Sequence, residues 1–157
     1  YKDNLDGSRI TPYYAIMHKQ GICQSFAGAY TYLLLQAGVK ANTCGGLTED
    51  STAAHEWCII EIGGKYYYMD PTYENGETGG LGLSYFGMTT QERYEAGSFT
   101  PEYYNIGTTN EVWGKDFDVT DTRFAAFRGC YYFSLDRESN RVAYYITGDD
   151  TVRYFAY

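Results

Sequence analysis

Three side chains in this sequence have the types and spacing that amide chemistry on a thiol requires: Cys23, His55 and Asp70. A thiolate nucleophile needs a base that takes and returns a proton, and the base needs an acceptor that fixes its orientation. The chain has only 2 histidines, which nearly forces His55 as the base. His18 competes weakly. It lies five residues before Cys23, has no carboxylate held at a defined geometry, and reads as a residue of the surrounding groove. Taken singly, each member has an ordinary explanation. A cysteine on an apolar helix face is usually a small buried hydrophobe, an aspartate before a proline caps turns, and a strand histidine can be a hydrogen-bonded core residue. Their joint placement is what points to chemistry.

Cys23 is positioned by the stretch from Gln20 to Gly38. Apolar residues recur at Cys23, Phe26, Ala27, Tyr30, Leu33, Leu34 and Ala37, the stripe of a helix and not the alternation of a strand. Gly38 suits the left-handed residue past a helix C-terminus, and Gly21 suits a close approach just before the helix start. Cys23 therefore falls in or beside the first turn, where free N–H groups and the positive end of the helix dipole favour an anion. An ordinary thiol pKa of about 8.5 drops by one to several units in such a place.

His55 and Asp70 are positioned by a hairpin. His55 to Ile62 reads as a strand, Gly63-Gly64 as a two-residue turn and Lys65 to Asp70 as the return strand. That loop sets the register: Ile62 opposite Lys65, Trp57 opposite Asp70, His55 opposite Thr72. Directly opposed residues share a face, as do residues two apart. His55 and Asp70 then become diagonal neighbours with Cα atoms about 7–8 Å apart, within reach of a side-chain hydrogen bond. Pro71 ends the ladder because it has no N–H to donate.

The rest of the chain is punctuated locally. Tyr1 to Thr11 reads as a polar loop, and Pro12 opens a short helix through Met17. Val39 to Cys44 reads as a short strand, and Gly45 to Thr52 as a loop. Asn75 to Gly82 reads as a Gly-rich loop and Leu83 to Gly87 as a short strand. Thr89-Thr90-Gln91-Glu92 is a capping box that predicts a helix to about Ala96, ending at Gly97. Pro101 to Asn110 is turn-rich and aromatic. Gly129 to Leu135, Arg141 to Thr147 and Val152 to Tyr157 read as strands, with a polar turn at Asp136 to Asn140. The expected organisation is a core over residues 1–100 and a β-rich extension over 101–157, packed on the core or starting a further module.

Composition narrows the class of partner. The 157 residues suffice for one domain with a real core. The 44% apolar fraction includes 19 tyrosines, whose hydroxyl ends suit surfaces and grooves. A net charge of -8 without a Lys/Arg cluster argues against nucleic acid and against an anionic membrane surface. No apolar run is long enough to span a bilayer. The acidic, Tyr-rich, Lys-poor character points to an extracellular or cell-surface location. The chain starts at Tyr1 and not at a methionine, so the expectation is a piece of a longer protein with its export signal upstream. The 4 cysteines form no C-x-x-C pair, which speaks against a structural zinc knuckle, and a Cys44–Cys58 disulfide stays open.

Three motifs, in order, carry a resemblance: Gly-Ile-Cys-Gln-Ser-Phe-Ala from Gly21, Ala-His-Glu-Trp-Cys-Ile-Ile-Glu-Ile-Gly-Gly-Lys-Tyr-Tyr from Ala54, and Met-Asp-Pro-Thr-Tyr from Met69. With Ala-Gly-Val from Ala37 between the first two, the stretch Pro12 to Gly97 resembles the transglutaminase-like superfamily of bacterial proteins. The resemblance implies a papain-like α+β fold, in which the helix bearing the nucleophile packs on an antiparallel sheet, with the β-rich tail following. It implies Cys23 as nucleophile, His55 as base, Asp70 as orienting acid, and Trp57 as the tryptophan that packs beside the site. Papain-like folds often carry an upstream glutamine as an oxyanion donor. Gln20 is the candidate, though unusually close to Cys23, and the backbone N–H of Cys23 is the safer donor. The first helix of the family core is missing or lies before Tyr1. No acidic loop has calcium-ligand spacing, so no metal or other cofactor is expected.

The expected function is thiol-dependent acyl transfer on peptide or glutamine-type amides, hydrolytic (a cysteine protease or amidase) in preference to cross-linking. Its partners would be protein or peptide substrates, cell-wall or surface polymers among them. The competing reading is a non-catalytic module whose tyrosines, with Trp57 and Trp113, line a groove for peptide or glycan. A zinc site on Cys23 and His55 is a third, weaker option.

Overall fold

We analysed a computed structural model of the chain, which describes residues 1–105, 119–146, 148 and 151–156. The fold is α+β. Its centre is the antiparallel sheet built from β1 (Lys40–Thr48), β2 (Ala54–Ile62), β3 (Lys65–Met69) and β4 (Phe99–Asn105), in the order β3-β2-β1-β4. Alternation along β2 splits the core in two. Cys58 and Ile60 face one way, with Ala41, Tyr67 and Met69; Trp57 and Ile59 face the other, with Cys44, Tyr68 and Phe99.

Two helices precede the sheet, α1 (Pro12–His18) and α2 (Cys23–Gln36). Thr11 caps α1 through its side chain, and Pro12 supplies the fixed φ of the first turn. α2 lies on β1 and β2, where Ala27 enters the Cys58 side of the core. Gly38 has φ +77°, the left-handed conformation that lets the chain leave α2 for β1.

The hairpin between β2 and β3 has the expected register, with Ile62 opposite Lys65 across Gly63 and Gly64, both at positive φ. The ladder stops at Cys58–Met69, so the pairs Trp57–Asp70 and His55–Thr72 do not form. At Pro71 the chain turns into α3 (Pro71–Thr78) instead of the expected loop, because Asp70 caps a helix whose first residue is the proline and whose end is a left-handed Gly79.

Three further expectations are corrected. Of the loop expected over Gly45 to Thr52, the part up to Thr48 is the second half of β1, and residues 49–52 turn as expected. Its glycines belong to a strand because a Cβ on Gly46 would stand 2.0 Å from the Thr100 carbonyl oxygen and 2.9 Å from the Trp57 ring, at the bulge where β1 meets β4. The strand expected over Leu83–Gly87 is irregular, with a single bridge between Tyr68 and Met88 after it. Three of its carbonyls are taken by one side chain: Arg128 donates to Ser84, Phe86 (2.9 Å) and Gly87 (3.0 Å), while the Tyr85 carbonyl accepts the Asp70 N–H at 3.0 Å. A Cys44–Cys58 disulfide is absent, since Cys58 opposes Thr43 and Cys44 opposes Trp57, which puts the two thiols on opposite faces; none of the 4 cysteines is in a disulfide.

α4 (Thr90–Gly97) carries the expected capping box between Thr89 and Glu92. A boundary between residues 100 and 101 cuts through β4, which begins at Phe99 and pairs along β1, so the central sheet continues past it. The expected turn-rich character of Pro101 to Asn110 gives way to strand as far as Asn105; its remainder, and Trp113, lie outside the described residues. A second sheet, β5 (Cys130–Asp136), β6 (Arg141–Ile146) and β7 (Arg153–Ala156), follows. Phe124, Phe127, Cys130, Val142 and Tyr144 join Tyr67 and Met69 in one buried cluster.

Candidate active site

Cys23 is the first residue of α2. The preceding turn is tight: the Ile22 N–H donates to the buried Ser25 hydroxyl, and a Cβ on Gly21 would stand 2.6 Å from the Ser25 Cβ. The groups that act to lower the thiol are the His55 side chain and the backbone N–H groups of Glu56 and Gln24. Burial pushes the thiol up, but the hydrogen bond with His55, its charge and the two N–H groups outweigh that and hold it below its ordinary value. The Tyr1 phenol is held above its ordinary pKa, first by burial and then by the charge of the nearby Cys23. The Lys2 N–H donates to the Gly21 carbonyl at 3.1 Å and holds that segment in place.

His55 stands near the start of β2, 7% exposed, on the Trp57 face. Its Nε2 lies 2.7 Å from Asp70 Oδ2. In the neutral ring Nε2–H donates to the carboxylate, which leaves Nδ1 to accept the thiol proton. Burial works against the imidazolium, but the hydrogen bonds to Asp70 and Cys23 and the Asp70 charge prevail, so the ring holds its proton more tightly than usual; the Arg93 charge opposes this. The ring lies in an aromatic slot, with centroids 4.9 Å from Tyr73, 5.1 Å from Phe99 and 5.9 Å from Trp57.

Asp70 is 1% exposed and has both oxygens engaged. Oδ1 accepts from the N–H groups of Thr72 (3.1 Å) and Tyr73 (3.0 Å), which is the N-cap of α3. Oδ2 takes His55 and, at 3.3 Å, Nη2 of Arg93.

Arg93, on α4, escaped sequence reasoning. It is the only cation of that helix, but nothing in Thr-Gln-Glu-Arg marks it as buried; in the structure it is 0% exposed. Its guanidinium carbon lies 4.7 Å from the Trp57 ring centroid, 5.0 Å from Tyr73 and 5.6 Å from Phe99. The approach to Asp70 is a charge contact without hydrogen-bond alignment, and the guanidinium nitrogens find no hydrogen-bond acceptor among the described residues.

The remaining sequence candidates are placed as follows. Trp57 is fully buried and stacks on His55. Gln20 is half-buried in the link between α1 and α2 and forms no side-chain hydrogen bond among the described residues. His18 is exposed at the end of α1, stacked on Tyr14 at 4.3 Å, and is not brought to Cys23. No cluster of three or more metal-ligating side chains occurs among the described residues. Beside the site lies an open groove of about 540 Å³ lined by Tyr1, Thr72, Tyr73, Glu77 and Tyr85.

Residues 1–71 match the family model of the transglutaminase-like superfamily. The match spans Cys23, His55 and Asp70, and ends one residue past the acid. A search of the curated proteins gives no significant match.

Proposed function

In a chain that carries a transglutaminase-like domain over residues 1–71, we propose that Cys23, His55 and Asp70 form an acyl-transfer centre acting on peptide or glutamine-type amides. The observation that carries the reading is the buried His55 ring, held 2.7 Å from an Asp70 oxygen while it draws the thiol at the start of α2 below its ordinary pKa. The superfamily consists largely of enzymes of this thiol-dependent type, and the three residues come from separate elements, α2, β2 and the end of β3.

The thiolate attacks the amide carbonyl carbon and forms a C–S bond. The carbonyl oxygen gains the electron pair and is met by backbone N–H groups at the start of α2, that of Cys23 first. His55 gives its proton to the departing nitrogen as the C–N bond breaks, leaving a thioester on Cys23. A water then loses a proton to His55 and attacks the thioester, releasing the acid and regenerating the thiolate and imidazolium. An amine in place of water would give cross-linking; hydrolysis is preferred because the groove is open to water and no separate amine site is evident among the described residues. The acidic, Tyr-rich composition supports substrates outside the cell or on its surface, proteins, peptides or wall polymers.

The Tyr1–Tyr73–Tyr85 groove favours a second reading, a peptide- or glycan-binding module on the same fold. One experiment separates them. The protein and its Cys23→Ala variant are incubated with a peptide library, and release of ammonia and new N-termini is followed. Turnover by the protein and none by the variant supports acyl transfer. Binding of equal strength by both with turnover by neither overturns it.

A further inference from the structure

We propose that Arg93 is a positioning residue of the reaction: its guanidinium fixes the Asp70 carboxylate and, by sharing Oδ2 with His55, makes the imidazolium a readier proton donor to the leaving amine. This rests on the acyl-transfer reading of Cys23, His55 and Asp70.

A fully buried arginine is costly to desolvate unless its charge is met. Here the partner is Asp70, and the remaining faces of the guanidinium are covered by Trp57, Tyr73 and Phe99. An ion pair serving stability alone would be satisfied by a fork onto both carboxylate oxygens. Instead Oδ1 is committed to the α3 cap, and Arg93 meets the oxygen that receives His55 Nε2. Two positive groups, the imidazolium by a hydrogen bond and the guanidinium by charge alone, therefore share one oxygen. The same three rings line both His55 and Arg93, so the distance between the two cations is set by shared walls.

Among the described residues, the charged and titratable groups around His55 are Cys23 from α2, Glu56 beside it on β2, Asp70 from the end of β3, Tyr73 from α3 and Arg93 from α4. Arg93 is the one cation of this set. Without its charge the imidazolium would keep its proton longer against the thiolate and Asp70, and would surrender it less readily to a departing nitrogen.

The test measures the rate of Cys23 alkylation by iodoacetamide against pH in the whole chain. A thiolate–imidazolium pair gives two steps: the lower where the pair forms, the upper where the imidazolium loses its proton and frees the thiolate. Arg93→Gln removes the charge and keeps a polar amide at the position, and Arg93→Lys keeps the charge. The expected result is an upper step moved about one pH unit higher in Arg93→Gln and unmoved in Arg93→Lys. A folded Arg93→Gln with the wild-type upper step overturns the proposal; so does an Arg93→Lys whose upper step moves, which keeps the test decisive if the neutral variant does not fold. A wild-type profile with one step at the ordinary thiol value overturns instead the acyl-transfer reading on which the proposal rests.

Discussion

Asp70 holds His55 and starts α3 with the same side chain: Oδ2 lies 2.7 Å from His55 Nε2, while Oδ1 accepts the N–H groups of Thr72 and Tyr73. The carboxylate cannot rotate toward or away from the ring without uncapping the helix. The base is therefore oriented by a group whose own orientation is fixed by backbone, an arrangement that costs nothing to reorganise when the proton moves.

Asp70→Asn separates these roles. Asparagine is as good an N-cap as aspartate, so α3 keeps its start. The imidazolium loses its anion, and the amide can present an N–H to Nε2 and favour the wrong tautomer. Amide turnover is expected to fall by about 10²–10⁴-fold. Arg93 loses its counter-charge as well, and breaking a buried pair costs about 3–5 kcal/mol. Urea unfolding should report that loss, and Asp70→Asn combined with Arg93→Met should recover stability but not activity. Equal stability of wild type and Asp70→Asn would show that the Asp70–Arg93 contact carries no energy.

The pH dependence follows from two shifts of opposite sign. Cys23 sits below the ordinary thiol value, with burial overcome by His55 and the N–H groups; His55 sits above the ordinary imidazole value, with burial overcome by Asp70 and Cys23. Activity should show a plateau whose acid limb lies below about 8.5 and whose alkaline limb lies above about 6.5, the unperturbed values. Stability follows the same pair. The lowered Cys23 contributes above its unfolded pKa, and the contribution is lost as pH falls through the folded value. The raised His55 contributes below its unfolded pKa and loses the contribution as pH rises through the folded value. Amide hydrolysis followed across pH, with Tm measured at the same points, checks both. An acid limb above about 8.5 or an alkaline limb below about 6.5 would mean that the two groups do not share a proton.

The four cysteines should differ sharply in reactivity. Cys58 is fully buried, donates to the Ala27 carbonyl (3.2 Å), accepts from Thr31 (3.4 Å), and is pushed up to about 12, chiefly by burial. Cys130 is raised by burial too, and Cys44 is 0% exposed. At mildly acidic pH, brief iodoacetamide treatment followed by peptide mapping should place the label on Cys23, at least tenfold above the others, because only thiolate reacts. Comparable labelling of Cys58 would contradict the packing of α2 on β2.

The candidate site was legible wherever local rules decide it. Parity across Gly63-Gly64 placed His55 and Asp70 on one face even though the ladder ends at Cys58–Met69 before reaching them. The 3.6-residue stripe and Gly38 placed Cys23 at the start of α2. What escaped was non-local. Gly45-Gly46 looked like loop because only the approach of Thr100 explains glycine in that strand. Leu83–Gly87 has strand-like residues, but Arg128, far along the chain, takes the carbonyls of Ser84, Phe86 and Gly87. Asn75–Gly82 looked like loop because its glycines outweighed Asp70-Pro71, a helix start in its own right. Arg93 is invisible for the same reason: burial of a charge is decided by three rings and a carboxylate from other elements.

Gly46 gives the last prediction, since the crossing of β1 and β4 also holds the aromatic slot. A methyl group there would have to occupy space 2.0 Å from a backbone oxygen, which cannot swing aside as a side chain can, and 2.9 Å from the Trp57 ring. Gly46→Ala should therefore push Thr100 and its neighbour Phe99 outward and tilt Trp57, the two residues that flank both His55 and Arg93. Overpacking of this kind costs about 1–3 kcal/mol. Activity should drop further than stability, because the slot that orients the imidazole is displaced directly. Tm, turnover and tryptophan fluorescence measured together check this. A variant with wild-type turnover and an unshifted emission would show that β4 does not support the site.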